Sequence, residues 1–154
     1  MKALRSNWIV LVSAAILVGI DQLFKWLAIE NLSEIATFPL IDGVFHLTYV
    51  ENRGAAFGIM NGWGIALIIL TTTVLIGLIW LLLKGKFKHP FLLVAITLFL
   101  GGGVGNLIDR VFRQFVVDYL DFRLINFAVF NFADCFVVVG GVLFFIYVLK
   151  FMEN

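Results

Sequence analysis

The sequence predicts an α-helical integral membrane protein with four transmembrane helices. Of its 154 residues, 62% are hydrophobic and 14% are charged, whereas soluble domains are roughly 45–50% apolar and about 25% charged. Four apolar segments, at about residues 8–29, 63–83, 90–108 and 132–149, can each cross a hydrocarbon core of about 30 Å as a helix. Polar residues gather in the two longer connections, which predict a small extracytoplasmic β-sheet and a short interfacial helix.

The first apolar segment also has features of a cleavable signal peptide. Its uncharged part, residues 8–20, follows the basic residues Lys2 and Arg5. However, the apolar character resumes beyond Asp21 and Lys25, and no small-residue cleavage site follows. We therefore expect a retained helix. Because no repeat, linker or low-complexity tract divides the chain, we also expect a single domain.

The basic residues predict the orientation of the helices. Six of the eleven Lys and Arg residues flank one set of helix ends, namely Lys2, Arg5, Lys84, Lys86, Lys88 and Lys150. Since basic residues favour the cytoplasmic side, both termini are predicted to be cytoplasmic and the loops 30–62 and 109–131 extracytoplasmic. The net charge of +1 offers no support for nucleic-acid binding.

The two outer loops contain patterns typical of strands. An alternating run from Phe45 to Val50 predicts a β-strand. In the second loop, Phe122 and Leu124 of DFRLINFAVF predict further pairing, which gives a small sheet on the outer membrane surface. Between the first strand and the second helix, the short Gly-bounded segment NRGAAFGIM predicts a helical turn in the interface.

Several kinds of catalytic site are disfavoured by the residues present. The two histidines, His46 and His89, are predicted on opposite sides of the membrane, so a zinc site of the HExxH type is absent. Ser33 is the serine nearest to His46, but it lies in no GxSxG motif. Cys135 lies in an apolar segment and is interpreted as a packing residue. Neither a metal nor a cofactor is expected.

Carboxylates remain as the candidates for catalysis. Asp118 in VVDYL and Asp134 in NFADCF each lie among apolar neighbours at the edge of a hydrophobic segment, where an isolated charge is costly. Two such acids brought together share one proton, as in an aspartic protease. For each acid taken singly, a capping or surface role is the alternative, and Asp121 can replace Asp118 in this argument.

Other polar residues are predicted near these acids. Asp21 and Lys25 are four residues apart on one face of the first helix, so they can pair with each other or with the site. The alternative is a salt bridge that only orients the helix. Asp109 is followed by Arg110, which predicts a structural ion pair.

Three asparagines complete the set of candidates. Asn106 precedes Asp109 by three residues, and Asn131 precedes Asp134 by three, so each amide lies near a carboxylate if the backbone is helical. Asn131 is also a candidate N-cap of the fourth helix. For Asn52, a turn role is the alternative.

Five motifs in this order resemble the lipoprotein signal peptidase (signal peptidase II) family over essentially the whole chain. They are DQLFK, NRGAAF, GGGVGNLIDR, VVDY and FNFAD. The resemblance implies an aspartic endopeptidase of the bacterial plasma membrane, with its active site near the outer face. The implied reaction removes the signal peptide from diacylglyceryl prolipoproteins, on the amino side of the lipidated cysteine, with membrane lipid and globomycin-type inhibitors as further partners.

The same resemblance assigns the catalytic roles to Asp118 and Asp134. Its supporting positions are Asp21, Asn52, Asn106, Asp109, Arg110 and Asn131. Two other functions remain as alternatives: a proton-coupled transporter, which needs polar groups through the cytoplasmic half of the helices, and an assembly factor packed through its glycines.

Overall fold

The computed structural model describes residues 2–54 and 63–151, with side chains from residue 7 onward. Most of these residues lie in the helices α1 (Lys2–Leu32), α2 (Gly64–Leu83), α3 (Pro90–Phe112) and α4 (Phe132–Phe151). All four are long and apolar enough to cross a membrane, the shortest having 20 residues, which corresponds to about 30 Å. The predicted multi-pass helical membrane fold is confirmed.

Helix α3 is the central helix because it packs against each of the other three. In its most apolar stretch 44% of the residues are buried, against 11–22% in the other helices. The outward faces of the others carry large exposed apolar side chains, such as Trp26, Ile69 and Phe145. Exposed side chains of this kind are typical of helices that contact lipid.

Glycines on α3 permit this close packing. A Cβ atom at Gly102 would overlap the carbonyl oxygen of Ala133 on α4, and one at Gly105 would lie 2.5 Å from Asp21 Oδ2 on α1. Small residues let helix backbones approach closely. The glycines of the run GGGVGN therefore serve helix packing.

Helix α3 extends one turn beyond its predicted end and continues to Phe112. Asn106 and Asp109 of the last two turns are buried and hydrogen-bonded, so these polar residues are stable within the helix. The backbone N–H of Arg113 donates to Asp109 O at 2.7 Å and closes the final turn. The polar residues from Asp109 onward, which predict a loop, therefore belong to the last turn of α3, where Asp109 is part of a buried polar site.

The connections form a three-stranded antiparallel sheet with strand order β1-β2-β3. Its strands are β1 (Thr37–Ile41), β2 (Phe45–Asn52) and β3 (Val116–Phe122). The strand predicted from Phe45 is β2. In the β2–β3 register, Val50 is opposite Asp118.

The predicted pairing is confirmed at Phe122, which is the last residue of β3 and is opposite Phe45, but it is wrong at Leu124. Strand β3 lies upstream, and Arg123–Ile125 forms a short 3₁₀ helix that ends at Asn126 in the left-handed conformation, φ 49°. Residues 116–119 are all buried. A strand covered on both faces reads as a continuous apolar run rather than an alternation, which is why the period of two did not locate it.

The sheet packs over one end of the helix bundle, called here the sheet end. Ala28 and Leu32 of α1 form a small core there with Val117 and Tyr119 of β3. The α2–α3 connection, with Lys84, lies at the opposite end, called here the lysine end. The predicted interfacial helix covers residues 52–60. Its first residue, Asn52, lies in β2, and residues 55–62 are outside the described residues.

Candidate active site

Asp118 is held in the middle of β3, with its side chain buried (2% exposed). Its Oδ1 accepts a hydrogen bond from Asn131 Nδ2 at 2.6 Å, and its Oδ2 accepts one from Asn52 Nδ2 at 2.9 Å. Asn52 is the last residue of β2, so the sheet brings its amide to this carboxylate. Neutral amides therefore satisfy both oxygens of Asp118.

Asp134 occupies the first turn of α4. Its backbone N–H donates to Asn131 Oδ1 at 3.0 Å, and its Oδ2 accepts from the backbone N–H of Asn131 at 3.1 Å. This reciprocal arrangement is a capping box with Asn131 as N-cap. The second oxygen, Oδ1, accepts from Asn106 Nδ2 at 2.8 Å.

Asn131 joins the two acids, which are together called the carboxylate pair. Its Nδ2 bonds Asp118 and also Asn106 Oδ1, at 3.2 Å, while its Oδ1 and backbone N–H bond Asp134. Helix α4 begins at the residue after this N-cap. The start of α4 thus fixes the position of Asp134 relative to Asp118 on β3.

Electrostatics distinguish Asp118 from an ordinary carboxyl group. Burial, followed by the negative charge of Asp134, raises the pKa of Asp118 from 3.8 to about 7. Hydrogen bonds from Asn52 and Asn131 oppose this rise without cancelling it. The carboxyl group of Asp118 therefore holds a proton for much of the time at neutral pH.

Asp121, the alternative to Asp118, has different surroundings. The two acids are three positions apart on one strand, so their side chains point to opposite faces. Asp121 Oδ2 accepts from Thr48 Oγ1 at 2.6 Å and Arg123 Nε at 2.8 Å. Burial opposes its charge, but these hydrogen bonds prevail and keep its pKa below the usual value. Asp118, and not Asp121, therefore lies beside Asn131.

A second group of charges lies next to the carboxylate pair and is called the ion cluster: Asp21, Lys25, Asp109 and Arg113. The Lys25 ammonium is 0% exposed and lies 2.9 Å from Asp21 Oδ2 and 3.2 Å from Asp109 Oδ2. Its Nζ also donates to Asn106 Oδ1 at 2.8 Å. The predicted Asp21–Lys25 pair is confirmed, and it also contacts α3.

The predicted Asp109–Arg110 ion pair is wrong. Within the described part of the chain, Asp109 forms its ion pairs with Lys25 and Arg113. Positions i and i+4 share one face of a helix, whereas consecutive residues do not. Arg110 Nη2 instead donates to Gly54 O at 3.3 Å, and its charge is attracted most strongly to Asp134 and next to Asp118.

Two members of this network were not predicted from the sequence. Arg113 pairs with Asp109 and donates to Gln22 Oε1 at 3.3 Å. Gln22 Nε2 donates to Asp109 Oδ1 at 3.2 Å and to Gly105 O at 3.1 Å. The available signals were the i+4 spacing from Asp109 to Arg113 and an amide within an apolar helix.

All nine predicted site residues are brought into one connected network at the sheet end. Asn106 is its central link, because it bonds Asp134, Asn131 and Lys25. Within the ranges that the structure describes, no three His, Cys, Asp or Glu side chains are grouped to hold a metal ion. Two carboxyl groups, one of them able to carry a proton at neutral pH, are suited to general acid–base chemistry.

The fold and site together define a multi-pass membrane protein with paired carboxylates at one end of its helices. The family model described as Signal peptidase (SPase) II matches residues 13–150. The chain belongs to the signal peptidase II family, and it is a membrane protease.

Individual proteins and structures agree with this membership. The chain is 51% identical over 138 residues to the lipoprotein signal peptidase of Clostridioides difficile (strain 630), covering 88% of this chain and 91% of that protein. It is 39% identical over 138 residues to the lipoprotein signal peptidase of Bacillus subtilis (strain 168), covering 88% of this chain and 90% of that protein. A bacterial membrane enzyme structure obtained by the in meso method superposes with a TM-score of 0.85 at 34% identity, covering 95% and 90% of the two chains.

Proposed function

We propose that this chain is an aspartic endopeptidase that removes the signal peptide from diacylglyceryl-modified prolipoproteins. The cut falls on the amino side of the lipidated cysteine. The observation that carries the proposal is the carboxylate pair, in which Asn131 hydrogen-bonds both Asp118 and Asp134. Membership of the signal peptidase II family supports the substrate class.

In the proposed mechanism the two carboxyl groups share the proton transfers. Asp134 takes a proton from water, and the resulting hydroxide attacks the scissile carbonyl carbon. Asp118 gives its proton to the carbonyl oxygen, forming a tetrahedral diol. As the C–N bond breaks, the leaving amine takes the proton held by Asp134, and one hydroxyl of the diol returns a proton to Asp118, which leaves a carboxylic acid and restores both groups. The raised pKa of Asp118, about 7, supports its role as the protonated partner.

The neighbouring amides are proposed to orient the acids. Asn52 and Asn131 hold both oxygens of Asp118, and Asn106 holds Asp134. Because an amide carries no net charge, it fixes a carboxyl group without neutralising it. Arg110 already donates to the Gly54 carbonyl, in the segment that follows β2. We propose that Arg110 orients the substrate backbone in the same region.

The ion cluster is proposed to hold the carboxylate pair in position through its contacts with Asn106 and Ala133. Lys25 hydrogen-bonds Asn106, which in turn hydrogen-bonds Asp134. Asp21 accepts from the backbone N–H of Ala133, next to Asp134, at 3.0 Å. These contacts tie α1 and α3 to the first turn of α4 and thereby hold the carboxylate pair in place.

The location of the site suits a lipid-modified substrate. The carboxylate pair lies where β3 and the start of α4 meet, so a peptide anchored by its acyl chains reaches the site without entering the hydrocarbon. Such anchoring contributes about 0.8 kcal/mol per buried CH₂ group. We propose a bacterial plasma-membrane location, with both termini cytoplasmic and the sheet end outside, and inhibition by globomycin.

The test of the proposal replaces each acid by its amide and measures cleavage of a diacylglyceryl prolipoprotein by the purified protein. Asp118→Asn and Asp134→Asn should each lower the cleavage rate by about a thousand-fold or more, because each removes a proton-transfer group. Asp121→Asn is the matched control, since it is an acid on the same strand with its partners on the other face. Its rate should stay within about three-fold of the parent.

Full turnover in both the Asp118→Asn and the Asp134→Asn proteins would overturn the mechanism. A thousand-fold loss in Asp121→Asn that equals the loss in Asp118→Asn would point to a structural effect of the sheet. Cleavage of a prolipoprotein without the diacylglyceryl group at the same rate would contradict the proposed substrate class.

A further inference from the structure

The lysine end of the bundle contains an open pocket that the proposed peptidase reaction does not use. The pocket has a volume of about 630 Å³ and lies between the α2–α3 connection and the end of α4. Its lining residues are Lys84, Gly85, Lys86, Lys88, His89, Pro90 and Tyr147. The residues of the carboxylate pair are at the opposite end of the helices.

The backbone fixes the lysines of this pocket in a turn. Helix α2 ends in a Schellman motif, in which Lys86 N donates to Leu81 O at 3.1 Å and Gly85 N donates to Leu82 O at 2.9 Å. Gly85 has φ 67°, which favours glycine. Helix α3 then starts with Pro90 at its first position. The end of α2 and the start of α3 therefore give the lining of the pocket a well-defined backbone conformation.

The charge lining this pocket is positive and uncompensated within the described residues. Lys84, Lys86 and Lys88 all contribute to the lining, and no carboxylate does. None of the three forms an ion pair in the described ranges, although Lys84 lies over the Trp80 ring at 6.0 Å. Like charges that line one pocket repel each other, and a bound anion relieves that repulsion.

Apolar side chains border the pocket on the lipid-facing surface. Leu83, Phe91 and Phe151 are exposed by 60, 41 and 42%, and each belongs to a helix apolar enough to span a membrane. Inside this border, His89 packs against Tyr147 and Phe151, with ring centroids 5.1 and 4.3 Å apart. A cationic pocket next to apolar helix surfaces fits a molecule with an anionic head and hydrocarbon tails.

We propose that this pocket binds the phosphate headgroup of an anionic phospholipid. Lys86 and Lys88 supply the attraction for the phosphate, and the exposed apolar side chains beside them contact the acyl chains. The proposal is independent of the peptidase mechanism, because its residues belong to neither the carboxylate pair nor the ion cluster.

The experiment measures equilibrium binding of radiolabelled phosphatidylglycerol to the full-length protein in a neutral detergent. We expect saturable binding of one lipid per chain. Lys86→Gln and Lys88→Gln should each weaken binding about five-fold, and the double variant about 25-fold, since a lysine near an anionic headgroup contributes by about this factor. All these lysines are exposed, so thermal unfolding should be unchanged in each variant.

Lys150→Gln is the matched control, because it removes one positive charge at the same end of the bundle and its side chain does not line the pocket. It should change binding less than two-fold. If Lys150→Gln weakened lipid binding as much as Lys86→Gln, the lipid would be attracted by diffuse surface charge and not bound in the pocket, and the proposal would be wrong.

Two further ligands distinguish the possible sources of the anion. Phosphatidylcholine should bind at least about ten-fold more weakly than phosphatidylglycerol, because its choline group offsets the phosphate charge. Equal binding of the two lipids would overturn the role of the lysines. Glycerol phosphate should displace bound phosphatidylglycerol only weakly. If it displaced the lipid when present at an equal concentration, the natural ligand would be a soluble phosphate ester and the proposal of a lipid would be wrong.

Discussion

The ion cluster and the carboxylate pair are neighbouring groups of acids that are compensated in opposite ways. Asp21 and Asp109 of the ion cluster are each 0% exposed and are paired with the cations Lys25 and Arg113. Asp118 of the carboxylate pair is almost as deeply buried, but its hydrogen-bond partners are the neutral amides of Asn52 and Asn131. Burial alone therefore does not distinguish a structural acid from a candidate catalytic acid.

The type of partner decides what each group can do. Cations balance the negative charges of the ion cluster and hold its acids in buried ion pairs. Amides fix the carboxylate pair in place without neutralising it. Arg110 attracts both acids but forms an ion pair with neither within the described residues, so a shared proton becomes favourable. We therefore expect variants of the ion cluster to lose stability and variants of the carboxylate pair to lose activity.

The largest loss of stability is expected for Lys25→Met. This change leaves Asp21 and Asp109 buried with one fewer cation, and such uncompensated charge costs about 3–5 kcal/mol. Thermal and chemical unfolding in detergent provide the measurement. Lys150→Met, which removes an exposed lysine, should cost less than about 0.5 kcal/mol. Equal stability of the two variants would contradict the structural role assigned to the ion cluster.

A smaller loss is expected for Asn131→Ala, because Asn131 belongs to both the helix cap and the carboxylate pair. Loss of an N-cap costs about 1 kcal/mol, and cleavage should also fall about ten-fold or more as Asp118 loses its 2.6 Å hydrogen bond. Asn131→Ser keeps a capping oxygen but lacks the amide that reaches Asp118. Compared with Asn131→Ala, the Asn131→Ser protein should regain the stability of the parent but not its cleavage rate. If it regained both, Asn131 would act only as a helix cap.

The smallest effect on stability is expected for Asp118→Asn. The amide keeps nearly the same shape and removes the repulsion between Asp118 and Asp134. Its NH₂ group replaces an oxygen that accepts from Asn52 or Asn131, which offsets part of this gain, so the unfolding free energy should change by less than about 1 kcal/mol. The same protein is expected to be inactive. Destabilisation as large as that of Lys25→Met would show that Asp118 is a structural acid, like those of the ion cluster.

The helices could be predicted from the sequence because their signal is local. A long apolar run identifies a membrane span without any knowledge of its neighbours, and the apolar residues around Asp118 indicated that its carboxyl group is buried. The Asp21–Lys25 pair was also predictable, since helical spacing alone brings the two side chains together.

What could not be predicted depended on where the elements end and meet. The sequence predicts that α3 ends at residue 108, and a helix that ends there does not place Arg113 on one face with Asp109. The neighbouring Arg110 is then the apparent partner of Asp109. The sequence indicates only the end of β3, at Phe122, because tertiary contacts cover both faces of residues 116–119 and remove the alternating pattern. The role of Gln22 requires the contact between α1 and α3, which no local signal provides.

The most direct test of the central claim is a ¹³C NMR titration of the aspartate carboxyl groups in the parent and in Asp134→Asn. The Asp118 signal, assigned by its loss in Asp118→Asn, should titrate with an apparent pKa of about 7 in the parent. In Asp134→Asn the pKa should be lower, since the neighbouring negative charge is removed, but still above the usual value because Asp118 remains buried. Titration of Asp118 near 4, or a value that Asp134→Asn leaves unchanged, would contradict the proposal that the two acids share a proton.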